Sequence, residues 1–239
     1  MSVDDRALMA AGNNADWYAV MFRAHGLEHE RMSFAFVGRD RPPPYYSNLT
    51  VLRPGHANGI VRLVAELAQA HGGKVGLKDS FCELDLEGNG FQTRFEASWI
   101  WREASARQMP DGWRVVKDAE DLSAWENAWK SAGSPADRRM FPASLLDHPD
   151  VRFCVREDAG KIVSGCIANR SGDCIGLSNV FSTSEQDGYF SEAADAAFAF
   201  DESLPVVGYE SGSDLDLAKA AGFETVGDLR VLYSEAVLL

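Results

Sequence analysis

The side chains best suited to chemistry are few and scattered. His25 and His29 stand four apart beside Glu28 and Glu30, residue types that ligate zinc when one helix presents both imidazoles together. Gly26 interrupts that helix, so no metal is expected there. Residues 53–59, RPGHANG, place Arg53 and His56 at the start of a helix, where free backbone amides could hold an anion. Pro and Gly also belong in an ordinary strand-to-helix turn, and the turn is the preferred reading. Gly88 and Gly90 resemble the glycines of a dinucleotide loop, but an alternating strand pattern follows them rather than a helix, which makes them a turn. Cys82, Cys154, Cys166 and Cys174 form no CxxC pair and no dense disulfide frame. A reducing, cytoplasmic compartment is the simplest expectation.

The elements that must position any site are clearer. Residues 204–234 read as strand, short helix, strand. Val206, Val207 and Tyr209 form the first run, Leu215, Leu217, Ala218 and Ala221 the helix, and Gly222 its close. From Phe223 the positions Thr225, Leu229, Val231 and Tyr233 alternate with Glu224, Asp228 and Arg230, the period of a strand with one wet face. Residues 75–102 follow the same plan. Val75-Gly76 precedes Gly90-Phe91 by the interval that separates Val207-Gly208 from Gly222-Phe223. Ser80 and Glu83 form a capping-box pattern ahead of Leu84 and Leu86. Upstream, Ser47-Asn48 and Ser178-Asn179 stand at near-equal distances before Val75 and Val207, with a helical pattern between, and Trp17 resembles Trp125 in its setting. The chain therefore reads as two diverged copies of one β-α-β-α-β unit. The boundary is expected in the polar stretch 103–112, giving domains over 1–105 and 113–239, each a mixed central sheet flanked by helices, an α/β (α+β) class. In the second copy, 151–157 and 161–168 predict a hairpin around Asp158-Ala159-Gly160. The first copy is expected to lack one, and residues 133–149 are expected to form a loop with a short helix, a candidate lid.

Charge narrows the partners. The net of −13 is uneven, with thirteen acids against two bases in residues 171–239 and thirteen against twelve in residues 1–110. Such a field repels phosphate backbones and anionic lipid, so neither nucleic acid nor a membrane is an expected partner. The first residues carry two acids and no apolar run, and no stretch of about 18 apolar residues occurs, so neither a signal peptide nor a membrane span is expected.

Residues 113–234 resemble the GNAT superfamily of CoA-dependent N-acyltransferases. The resemblance rests on the order of strands, the hairpin VRFCVREDAGKIVSGCIA, and the closing GYESGSDLDLAKAAGFETVGDLRVL, whose helix ends in Gly-Phe before the last strand. Residues 14–102 are similar to the later half of the same family. The resemblance implies that the sheet splays between the strands at 174–181 and 204–210 and that acetyl-CoA enters the wedge. Ser178, Asn179 and Val180 would bind it as the cofactor, Glu210 would serve as base, and Tyr209 would stand beside Glu210 in the catalytic site. A small amine would be the acceptor, and a homodimer stays open. Two departures accompany the match. The family's pyrophosphate loop is Arg or Gln, two residues, Gly, one residue, Gly or Ala; residues 181–189 here read FSTSEQDGY, with Glu185 and Asp187 and no base. The family's tyrosine acid is Ala218 here and Leu86 in the first copy. Two functions remain open at this point, a tandem N-acetyltransferase and a non-catalytic binding or structural protein that has kept the fold and lost acetyl-CoA.

Overall fold

A computed structural model describes residues 4–184 and 188–234. Its elements in order are α1 (Asp5–Ala24), β1 (His29–Arg31), β2 (Ala35–Gly38), β3 (Leu49–Val51), α2 (Ala57–His71), β4 (Val75–Asp79), β5 (Gln92–Arg102), β6 (Trp113–Val115), α3 (Ala119–Ser131), β7 (Val151–Asp158), β8 (Lys161–Ser171), β9 (Cys174–Ser182), α4 (Tyr189–Phe198), β10 (Val206–Glu210), α5 (Gly212–Ala220) and β11 (Glu224–Ser234). The backbone groups into two compact units, one of residues 1–99 with 226 onward, the other of Ile100–Thr225. Strands β5 and β11 each have residues in both.

In unit 1 the strand order is β1-β2-β3-β4-β11-β5. Strands β1 and β2 are antiparallel, as are β2 and β3, whereas β3 and β4 run parallel. Helix α2 buries Ile60, Leu63, Val64 and Leu67, the i, i+3, i+4, i+7 stripe of an amphipathic helix. They meet Leu49, Val75, Leu77 and Leu232 in one core, and the helix closes at left-handed Gly72. The expectation that the first copy lacks a hairpin is corrected: Glu30 pairs with Val37 and Arg31 with Phe36. The apolar run at 32–38 hid the polar strand His29–Arg31 that precedes it.

One further expectation changes in unit 1. Ser80 and Glu83 start no helix. The Asp79 carboxylate accepts the backbone N–H of Glu83 and of Leu84, while the Ser80 hydroxyl is buried with no hydrogen-bond partner among the described residues. Side-chain capping by Asp79 thus ties the segment down as a loop, with one 3₁₀ turn at Glu87–Asn89. The last strand finds its partner in β4. Strand β11 pairs antiparallel with β4 from Arg230↔Asp79 to Ser234↔Val75, and Arg230 Nε donates to Asp79 Oδ2 at 3.1 Å. Period-two alternation announces a strand but says nothing about which neighbour it joins.

In unit 2 the order is β10-β9-β8-β7-β6. The hairpin β7–β8 turns through Ala159 and Gly160, both with positive φ, as a two-residue I′ loop requires. Helix α3 is capped by Asp118, which accepts from Glu120 N and Asp121 N. Beneath it Trp125 meets Phe141, Phe153 and Phe181 edge-to-face. Buried Glu126 accepts from the backbone N–H of Met140 and Phe141 and pairs with Lys130. That clasp fixes part of the 133–149 stretch, in which the expected short helix forms as a 3₁₀ segment at Ala143–Asp147. The other face of the sheet carries α4 and α5, whose Phe190, Ala193, Ala197 and Ala218 pack on Cys166, Ile175, Leu177 and Val206. No helix among the described residues is long and apolar enough to cross a membrane.

Candidate active site

The candidate site lies in unit 2, where the carboxyl ends of β9 and β10 meet the amino ends of α4 and α5. The two strands are parallel, and their ladder holds Val206↔Ile175 and Val207↔Gly176. Both continue past that point, β9 to Ser182 and β10 to Glu210. Gly208 marks the last close approach, since a Cβ there would stand 2.7 Å from the Leu177 carbonyl oxygen. Beyond it lie Ser178, Asn179 and Val180 on one side and Tyr209 and Glu210 on the other, all half-buried.

A bulge shapes the β9 wall. Opposite β8 the register runs from Ile167↔Ser178 to Gly165↔Phe181, so β9 carries an extra residue there. Asn179 absorbs it with φ at 51°, and its Nδ2 donates to Ser178 Oγ at 3.1 Å. Val180 packs against the core under α4, leaving only its backbone for a ligand.

The residues proposed for catalysis are divided by strand alternation. Val206 faces the core under α4 and α5, so Glu210, four residues on, shares that face and Tyr209 takes the opposite one. The phenol on Glu210's own face is Tyr189, the first residue of α4. Burial and, after it, the carboxylate of Asp214 push Glu210 up to about 8. Burial, Asp214 and Glu210 together raise the Tyr189 phenol above its usual value, so it keeps its proton near neutral pH. Neither Tyr189 nor Asp214 carried a sequence signal; helix packing alone brings them beside Glu210.

The anion end is mixed. Gly188, left-handed, starts α4 with no side-chain cap, which leaves first-turn amides for an acceptor. Glu185 and Asp187 lie outside the described residues. A base absent from the local sequence does arrive through the fold: Arg156 of β7 lies 3.5 Å from Glu192 of α4, which also accepts from Trp113 Nε1. Ala218, at the position of the family's tyrosine, is fully buried in the core.

The unit 1 counterparts assemble differently. His56 precedes α2 without a side-chain cap bond and stacks on Phe34 at 4.8 Å, while Gly55 N donates to Glu83. That is a turn with an acidic neighbour rather than an anion cradle. His29 lies within 3.5 Å of Arg23, and no cluster of metal-ligating side chains occurs among the described residues.

Comparison with known proteins places the fold. No family model matches the chain, and no curated protein does. Solved structures do match. A GCN5-related N-acetyltransferase from Kribbella flavida aligns at TM-score 0.64 and 12% identity over 95% of this chain and 96% of its own. A GCN5-related N-acetyltransferase from Sphaerobacter thermophilus aligns at 0.56 and 15% over 100% and 99%. The N-myristoyltransferase of Saccharomyces cerevisiae, solved with myristoyl-CoA, aligns at 0.54 and 10% over 84% of this chain and 63% of that one. At these identities the likeness is one of fold, a mixed α/β sheet flanked by helices as in the GNAT acetyltransferases.

Proposed function

We propose that unit 2 is an N-acyltransferase that moves an acyl group, acetyl in the simplest case, from a CoA thioester to a small amine. The observation that carries this reading is the parallel pair β9–β10, whose ladder ends at Val207 while the Glu210 carboxyl, with no hydrogen bond or ion pair among the described residues, stands three residues further on. Backbone donors and acceptors left open along both strands suit an extended pantetheine arm, which would pair as an added strand does. Gly208, without a Cβ, keeps the floor of that opening narrow. The uncapped start of α4 and Arg156 would face the phosphates. The likeness to an N-myristoyltransferase holding myristoyl-CoA supports an acyl-CoA donor.

The thioester supplies an activated carbonyl. Glu210, with a proton affinity near neutral pH, accepts a proton from the incoming ammonium, the match of base to working pH that favours general-base catalysis. Backbone amides at the Asn179 bulge donate to the carbonyl oxygen as charge develops on it. Tyr189, which stays protonated, stands on the same face to return a proton to the leaving sulfur. Glu210→Gln is expected to lower kcat by about a hundredfold to ten-thousandfold without loss of fold; an unchanged rate removes Glu210 as base.

A second reading, a binding protein that has kept the fold, draws support from the FSTSEQDGY stretch at 181–189, where acids replace the family's phosphate loop. Melting temperature against acetyl-CoA concentration separates the two, because a ligand of the folded state must raise it. No shift at millimolar acetyl-CoA or a longer acyl-CoA favours the binding protein.

A further inference from the structure

The large hydrophobic side chains exposed among the described residues all belong to unit 1: Tyr45 at 57%, Tyr233 at 39% and Phe95 at 37%. The fold gathers them on one side of its sheet. Strands β5 and β11 are neighbours. Ser98 Oγ donates to Asp228 Oδ1 at 2.9 Å, and a Cβ on Gly227 would stand 3.8 Å from Trp99. Those two contacts make the strands antiparallel, with Phe95 opposite Val231 and Thr93 opposite Tyr233. Phe95 and Tyr233 are therefore diagonal neighbours on one face, within reach of each other. Helix α1 covers this face further along, where Ala7 meets Gly227 and Asn14 accepts from Lys78. Burial then fades from Lys78 through its half-buried partner Val231 to exposed Tyr233. Tyr233 pairs with Gly76, and Ser47 Cα lies 3.4 Å from a Cβ placed on that glycine. The loop carrying Tyr45 thus borders Tyr233 on the same side. Tyr46 packs on Tyr18 of α1, whereas Tyr45 stays exposed with φ at 71°, a left-handed conformation disfavoured for any residue with a Cβ.

Residues 92–96 of β5 are exposed on both faces, yet alternation sorts them sharply. Gln92, Arg94 and Glu96 take one face, Thr93 and Phe95 the other. Water on both sides gives no reason for an apolar face; a partner on one side does. None of Tyr45, Thr93, Phe95, Val231 and Tyr233 is charged. Charge also selects the partner. Residues 100–225 hold twenty-two acids against twelve bases, whereas the rest of the chain holds fourteen against eleven. Two copies meeting through unit 2 would set strongly acidic surfaces together, but through this face each offers its least charged part. We propose that a second copy of this chain docks here about a two-fold axis, Phe95 and Tyr233 of each copy packing on those of the other with Tyr45 at the rim. The same patch is then buried on both copies, aromatic at its centre. The contact uses no residue of the candidate active site, so it goes beyond the acyl-transfer reading and stands independently of it.

The test is analytical ultracentrifugation of the full chain over a dilution series. The expected species is a dimer that dissociates in the micromolar range. Phe95→Glu and Tyr233→Glu should each weaken it by about thirtyfold or more, the scale of an interface hot spot. Arg94→Glu, on the opposite face of β5, should leave it unchanged. Mixing Phe95→Glu chains with Phe95→Lys chains should restore a dimer, which separates a broken contact from a broken fold. Added salt should tighten the unsubstituted dimer, because it screens the net negative charge of each copy. A chain that stays monomeric at the highest concentration overturns the proposal; if that monomer floats with phosphatidylcholine vesicles and Phe95→Glu abolishes the flotation, the face belongs to a lipid surface instead. A dimer indifferent to both glutamate substitutions, weakened equally by Arg94→Glu, or loosened by salt has its contact elsewhere and overturns the proposal as well.

Discussion

The two units place a parallel strand pair at corresponding positions and end it in opposite ways. In unit 1 the ladder between β3 and β4 runs up to Thr50↔Lys78. In unit 2 the ladder between β9 and β10 stops at Gly176↔Val207. Lys78 follows Gly76 by two residues, as Glu210 follows Gly208. One pair is zipped to the position where the other has opened. What fills the closed position is a fully buried lysine, 0% exposed. Its Nζ donates to Asn14 Oδ1 at 2.7 Å and lies over the ring of Tyr18 at 4.8 Å. The comparison teaches that this β-α-β plan does not itself make a site. An opening forms only where the ladder is released and the strand ends in a group that gains from a ligand.

The largest expected effect tests how firmly the closed unit is held. Asp79, fully buried, pairs with Arg230 and accepts two backbone N–H groups. Asp79→Ala would strand the guanidinium and both donors, and the expected cost is about 3–5 kcal/mol in urea unfolding. At the matching place in unit 2 stands Ser211, which precedes α5 without a side-chain cap bond. Ser211→Ala should change stability by no more than about 0.5 kcal/mol. Similar costs for the two substitutions would erase the contrast.

The next effect concerns the floor of the opening. A Cβ on Gly208 would stand 2.7 Å from a backbone oxygen, whereas one on Gly76 would meet its nearest atom at 3.4 Å. Gly208→Ala should therefore destabilise by about 1–3 kcal/mol and weaken the acyl-CoA thermal shift. Gly76→Ala should do neither beyond about 1 kcal/mol. Equal tolerance at both positions would mean that the strands of unit 2 are as free to move apart as those of unit 1.

Much of this was legible in the sequence, for physical reasons that also mark where it stopped. Periodicity disclosed α2, the hairpin β7–β8 and both parallel strands, because burial of one face writes itself into residue order. The neighbour of a strand leaves no such mark, so the alternation of 223–234 announces β11 but not its pairing with β4. The Ser47-Asn48 and Ser178-Asn179 correspondence also misled. Asn48 levels with Gly76, whose N–H its Oδ1 accepts, while Asn179 sits at a bulge two positions further along. Glu210 could be singled out because it ends a strand. Tyr189 and Asp214 could not, since they reach it only through the packing of α4 and α5, whereas Tyr209, adjacent to Glu210 on the strand, turns to the opposite face.

The finest test of the comparison lies in the sign of two pH dependences. Burial lowers the proton affinity of Lys78 well below that of a free lysine. Its stabilising contribution is therefore complete above the unfolded value near 10.5 and is lost as pH falls toward the depressed folded value. Glu210 runs the other way. Its folded value is raised from 4.5 to about 8, so its contribution is complete below 4.5 and is lost as pH climbs to 8. Unfolding free energies measured across this range should show the wild type gaining on Lys78→Met as pH rises toward 10.5, and falling behind Glu210→Gln between pH 4.5 and 8. If both differences ran in the same direction, the two strand ends would share one electrostatic environment, and the division into a closed unit and an open one would fail.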